Sequence, residues 1–169
     1  GTNQGWLIDL GNTLGNNRFD YSLRNSNNAS MGIASPTDFY AGGFTYGQNT
    51  SSLNFSRTLG SVLGFHRVDL AFGSEFRIEN YTIVAGDEES WVDGGDTTAS
   101  GSACVSGSQG FVGFQPSNEL DKRRTNAAVY GDIDWHIVKN LLLETAVRYE
   151  KYSDFGSNLS WKIASRYKI

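Results

Sequence analysis

One cysteine, one methionine and two prolines in 169 residues exclude several protein classes at the outset. Cys104 has no partner for an internal disulfide, so the fold stands without covalent staples. It lies among glycines and serines with no histidine close by to take its proton, which argues against a nucleophile. Cations are in deficit, 14 Lys and Arg against 18 Asp and Glu, and a phosphate-binding surface needs them clustered. The single basic run, Lys122-Arg123-Arg124, reads as a solvated loop end, so no nucleic-acid partner is expected. No apolar run approaches the roughly 18 residues of a spanning helix, and no signal peptide stands before the first strand. A membrane role stays open, because a spanning strand needs only about 9–11 residues and leaves no hydropathy peak. Helical periodicity is nearly absent as well. Gly1 in place of an initiator methionine is expected of a chain processed or excised from a longer one.

What is present is alternation. Over 141–151, Leu141, Leu143, Thr145, Val147 and Tyr149 fall on one face, and Glu144, Ala146, Arg148 and Glu150 on the other. Over 159–169 the apolar set is Leu159, Trp161, Ile163, Tyr167 and Ile169, set against Ser160, Lys162, Ala164, Arg166 and Lys168. A period of two marks pleated strands whose two faces have unlike surroundings. The same pattern runs through 65–79 (Val68, Leu70, Phe72, Phe76, Ile78), 126–137 (Ala127, Val129, Ile133, Trp135, Ile137) and, more weakly, 44–59 (Leu53, Phe55, Leu59). Near the N-terminus the apolar positions change parity, from Trp6, Ile8 and Leu10 to Phe19, Tyr21 and Leu23. That change requires either a bulge in one long strand or a turn between two short ones. Aromatics at 13% and 20 glycines suit such a chain, with rings filling pleated surfaces and glycines serving turns.

The expected fold is all-β, an antiparallel up-and-down meander of six or seven strands. If each strand reverses direction, the long connections 25–43 and 80–121, with 153–157, fall at one end, and the short ones 60–64 and 138–140 at the other. Long loops at one end and tight turns at the other are how an outer-membrane barrel is built. Trp135 and Tyr167 near the short-turn end, and Tyr149 and Trp161 nearer the long-loop end, fit interfacial girdles. Over 141–151 and 159–169 the apolar face carries no charge except at Lys151, where the turn begins. A lipid-facing wall excludes charge in this way, and so does a soluble sheet packed on a core. The alternation alone fits both.

The segment LLLETAVRYEKYSDFGSNLSWKIASRYKI resembles a barrel hairpin of TonB-dependent outer-membrane receptors, in which a strand ending in Arg-Tyr-Glu-x-Tyr-Ser-Asp-Phe-Gly turns into the next. VDLAFGSEFRIENYTIVAGDEESW is similar to an upstream strand of those receptors, and ASPTDFYAGGFTYGQNTSSLNFS to the region before it. The resemblance implies a transport protein rather than an enzyme, and 1–169 as an internal part of its barrel, without the plug domain or the terminal aromatic strand. It implies outer-membrane lipid around the wall and an extracellular nutrient as ligand: a metal chelate, cobalamin or an oligosaccharide. It also implies contact with the TonB energy-coupling complex through the parent's plug region. The alternative is a soluble β-sandwich acting as a carbohydrate-binding module.

No motif for catalysis, phosphate or zinc is present, and no cofactor is expected. Alternation places His66 on the apolar face and His136 on the polar face, which argues against a shared metal. Asp87-Glu88-Glu89 and the acidic stretch 93–96 match no EF-hand spacing and read as solvated loop. Carboxylate pairs can be drawn from Asp132, Asp134 and Glu144, but nothing marks two of them for glycosidase chemistry. The candidate ligand-binding residues are Trp91, Phe111 and Phe114 in the long loop, where rings among Gly and Ser can stack on sugars or chelates. The plainer reading of these rings is that they pack the loop onto itself. An isolated chain is expected to self-associate through its edge strands.

Overall fold

The computed structural model describes residues 5–168, and apart from three short 3₁₀ segments its regular structure is β. The strands are β1 (Leu7–Leu23), β2 (Phe39–Leu59), β3 (Arg67–Val84), β4 (Leu120–Val138), β5 (Leu141–Tyr152) and β6 (Gly156–Tyr167). They form one antiparallel meander in the order β1-β2-β3-β4-β5-β6. Among the described residues the count is therefore six. The parity change in β1 involves no turn, since Leu7–Leu23 is a single strand.

Connections alternate in length along the meander: 24–38 and 85–119 are long, 60–66 and 139–140 short, and 153–155 makes the last hairpin. Two boundaries differ from those drawn from the sequence, because β2 begins at Phe39 and β3 runs on to Val84. Alternation misses the start of β2 because Gly42 and Gly43 interrupt it. Gly42 has φ +93°, and a Cβ on Gly43 would lie 2.5 Å from the carbonyl oxygen of Phe19, so both positions need glycine. Ile169, assigned to the apolar face of the last strand, lies outside the described residues.

The chain divides into two compact units, one made of residues up to 14, 48–79 and from 124 onward, the other of 15–47 and 80–123. In the first unit the register of β5 and β6 sets Val147 opposite Trp161, Thr145 opposite Ile163 and Tyr149 opposite Leu159. One residue along, Ala146 faces Lys162 and Arg148 faces Ser160. The apolar row is the exposed one: Trp161 is 73% exposed, Ile163 65% and Leu159 63%. On β5 the charged row is the more covered, with the Glu150 side chain 16% and Arg148 31% exposed, whereas on the edge strand β6 both rows are open, Lys162 at 58%. A sheet packed on a core in water shows the reverse order. A wall whose apolar side meets a non-aqueous solvent shows this one.

The covered face is laced with charge pairs. Arg148 meets both Glu150 (2.8 Å) and Glu75 (3.2 Å), and Glu75 also takes Arg77 at 2.7 Å. Lys162 reaches Glu144 at 2.5 Å, and Arg124 reaches Glu79 at 2.6 Å. Where the partners are largely covered, as for Arg148 with Glu75 and Glu150, the charges need one another, since a lone charge there costs on the order of a few kcal/mol.

The hairpin joining β5 to β6 gives the Arg-Tyr-Glu-x-Tyr-Ser-Asp-Phe-Gly segment its physical reason. Gly156 turns at φ +99°, which only glycine takes without strain. The rings of Tyr152 and Phe155 stack at 4.1 Å, with the Arg124 guanidinium over them at 5.6 and 5.9 Å. Ser153 exchanges two hydrogen bonds with Thr125, its N–H donating to the Thr125 carbonyl and its Oγ accepting from the Thr125 N–H, each at 3.0 Å. The turn is thus clamped to β4.

Candidate functional site

The second unit holds the rings picked out from the sequence. Phe111 stacks on Tyr21 of β1, with centroids 4.7 Å apart and planes at 20°. Phe114 meets Phe111 edge to face at 5.7 Å and Tyr21 at 6.2 Å. From Tyr21 the contacts run on to Phe44 of β2 (6.2 Å), which also meets Phe19 (5.0 Å) and Tyr81 of β3 (6.0 Å). Six rings therefore touch in series. Offset and edge-on pairs of this kind contribute about 0.5–1.5 kcal/mol each beyond their buried area. All six stay partly open to solvent, Phe19 at 47%. On the same strands the Tyr40 hydroxyl donates to Asp20 (3.0 Å), which also pairs with Arg18 at 2.7 Å.

Trp91 does not join this series: no ring contact among the described residues includes it. It follows the 3₁₀ segment Glu88–Ser90, half-buried, with its Nε1 covered and without a hydrogen-bond partner. Phe111 and Phe114 pack against a strand as well as against each other, so the loop is not folded only on itself. The strand partners Phe19, Tyr21, Phe44 and Tyr81 are absent from the sequence-based candidates. Tyr21 and Phe19 were already legible as the apolar positions of odd parity in β1.

The long loop reaches this position through backbone hydrogen bonds. Phe114 donates to the carbonyl of Ala41 and accepts from Gly86, each at 2.9 Å, which ties the loop to the first residues of β2. Asp87 adds two bonds to Tyr40, its N–H to the carbonyl at 2.7 Å and its carboxylate from the Tyr40 N–H at 2.9 Å. The acidic stretch 93–96 is occupied locally, Asp93 accepting from Gly95 (2.9 Å) and Asp96 from Thr97 (2.8 Å).

The remaining sequence candidates lie elsewhere. His66 precedes β3 and is exposed, its N–H donating to the His136 carbonyl at 2.8 Å. His136 Nε2 lies 3.1 Å from Asp69, so its ring turns to a carboxylate and not to His66. Asp134 and Glu144 are direct cross-strand partners, and Lys162 takes Glu144. Cys104 lies half-buried in the loop.

No curated protein and no solved structure matches the chain. A family model does, described as TonB dependent receptor-like, beta-barrel, over residues 1–169. That family consists of outer-membrane receptors and transporters, not enzymes. An antiparallel meander with an exposed apolar row, a covered charged row and alternating loop lengths is what such a wall requires, and the chain belongs to the TonB dependent receptor-like β-barrel family.

Proposed function

We propose that this chain forms part of the wall of an energy-coupled importer, and that its long loops take a scarce nutrient from the medium. The single observation behind this reading is the series of six rings, which links two loop aromatics through Tyr21 and Phe44 to three strands of a receptor barrel. Phe111 and Phe114, with Tyr21 and Phe44, offer faces for stacking, and Trp91 is a further ring of the same long loop. The ligand is a metal chelate, cobalamin or an oligosaccharide. Six strands fall short of the 8 or more of known bacterial membrane barrels, so residues 1–169 are read as one part of a larger barrel. The plug that occludes the lumen and contacts the TonB complex belongs to the parent.

Charge narrows the ligand. Residues 80–123 carry seven carboxylates (Asp87, Glu88, Glu89, Asp93, Asp96, Glu119 and Asp121), all exposed, against Lys122 and Arg123. A negative loop surface repels polyanions over about a Debye length, roughly 8 Å at physiological salt. Neutral or cationic ligands are therefore favoured over polyanionic chelates.

The test is receptor-dependent growth of a host carrying the full-length protein, on a panel of iron chelates, cobalamin and oligosaccharides as the limiting nutrient. One neutral or cationic nutrient should support growth, and Phe111→Ala with Phe114→Ala should raise the concentration needed at unchanged receptor abundance. Growth on a polyanionic chelate alone, or no effect of the ring variants, would contradict the proposal.

A further inference from the structure

The loop ring Phe111 is held by a buried knot of small polar side chains. Asn28, Ser30 and Ser90 are fully buried, and Ser108 is 2% exposed. Asn28 uses every polar atom of its side chain. Its Nδ2 donates to the carbonyls of Glu89 (2.9 Å) and Val92 (2.8 Å). Its Oδ1 accepts from the Ser30 N–H (3.2 Å) and hydroxyl (2.7 Å). Ser30 Oγ in turn accepts from Gly94 at 2.9 Å. One amide thus joins the connection 24–38 to the connection 85–119.

From there the restraint passes to the ring. The Ser90 carbonyl accepts from both Ser108 and Gly113, each at 2.9 Å, so the segment between them is pinned at both ends. The Ser108 hydroxyl donates to the Phe111 carbonyl at 2.8 Å, and Gln109 donates to Asn27 at 2.9 Å. Phe111 sits at the crest of that pinned segment, stacked on Tyr21. A ring fixed in advance loses little conformational freedom when a ligand arrives, which raises affinity without any added contact.

We infer that Asn28 is a positioning residue of the capture surface: through the Ser90 and Ser108 bonds it sets where Phe111 stands, touching no ligand itself. This rests on the reading of Phe111 as a ligand contact. The chemistry demands an amide, since the site presents two carbonyls to be donated to and two donors to be accepted from. Asp offers no N–H and sets a negative charge against two carbonyl oxygens.

The experiment uses the full-length receptor in detergent with 4-fluorophenylalanine at position 111, and in a second sample at position 72, and needs no ligand. Stacking on Tyr21 shifts the fluorine resonance at 111 from that of a solvated ring. Asn28→Asp should abolish that shift and leave the resonance at 72 unchanged. Ser30→Ala, which removes one Oδ1 partner and the Gly94 acceptor, should reduce it and serves if Asn28→Asp fails to assemble. A resonance at 111 shifted as fully as in the parent, in either assembled variant, would overturn the inference. Failure of the Phe111→Ala growth test alone would remove the ligand contact and leave the positioning intact.

Discussion

Gly113 shows how closely single residues are fixed. A Cβ there would stand 1.9 Å from Ser90 Oγ, inside a fully buried group whose hydroxyl already donates to Asp87 at 2.6 Å. Neither side can yield without breaking a bond of the knot. Gly113→Ala should therefore displace the loop, at a cost of about 1–3 kcal/mol as for other overpacked sites. The check is limited proteolysis of the assembled receptor, where new cleavage within 85–119 is expected. A cleavage pattern identical to the parent's would show that the contact relaxes freely. Sequence reading reached Phe111 and Phe114, because rings among Gly and Ser stand out. It missed Asn28 and the serines, because polar residues in a loop look alike until burial distinguishes them.

At the scale of the strand, alternation was the whole signal, and it was sufficient wherever the two faces carry side chains of contrasting polarity. β5 and β6 follow it residue by residue in their register. It failed at 39–43 and 80–84, where glycine and polar residues erase the contrast although the backbone still pairs. Alternation alone does not say which face meets which solvent; the family resemblance assigns lipid to the apolar row, and the exposure of that row agrees with it. The consequence is directional. Arg at Val147 or Ile163 places a charge on the exposed apolar row, at a cost of roughly 2–4 kcal/mol near mid-membrane. Ala146→Arg and Ala164→Arg fall on the row that already holds Arg148 and Lys162. In the full-length protein the first pair should impair assembly far more than the second, read as the heat-modifiable folded fraction on gels. Equal yields for the four variants would reverse the face assignment.

For the whole molecule, the strand order leaves β1 and β6 as edges, each paired on one side only among the described residues. Trp161, Ile163, Leu159 and Leu10 stand exposed on or near those edges. Produced alone, the chain should self-associate in detergent-free buffer, since unpaired backbone and a bare apolar row both seek cover. Light scattering after size exclusion tests this, and a monodisperse monomer would contradict it. The all-β class was legible from the alternation, and the family from the resemblance of the segment ending in Arg-Tyr-Glu-x-Tyr-Ser-Asp-Phe-Gly. The ring series was not, because its six members come from three strands and a loop and meet only in space.

The central claim is that the odd-numbered row of β5 and β6 faces lipid. It is tested most directly by spin labels placed singly at 146–149 and 159–164 of the full-length receptor in bilayers, with Cys104 replaced by serine. Collision with dissolved oxygen should rise and fall with a period of two, high at 147, 149, 159, 161 and 163 and low at 146, 148, 160, 162 and 164. A flat profile, or maxima at the even positions, would contradict the account.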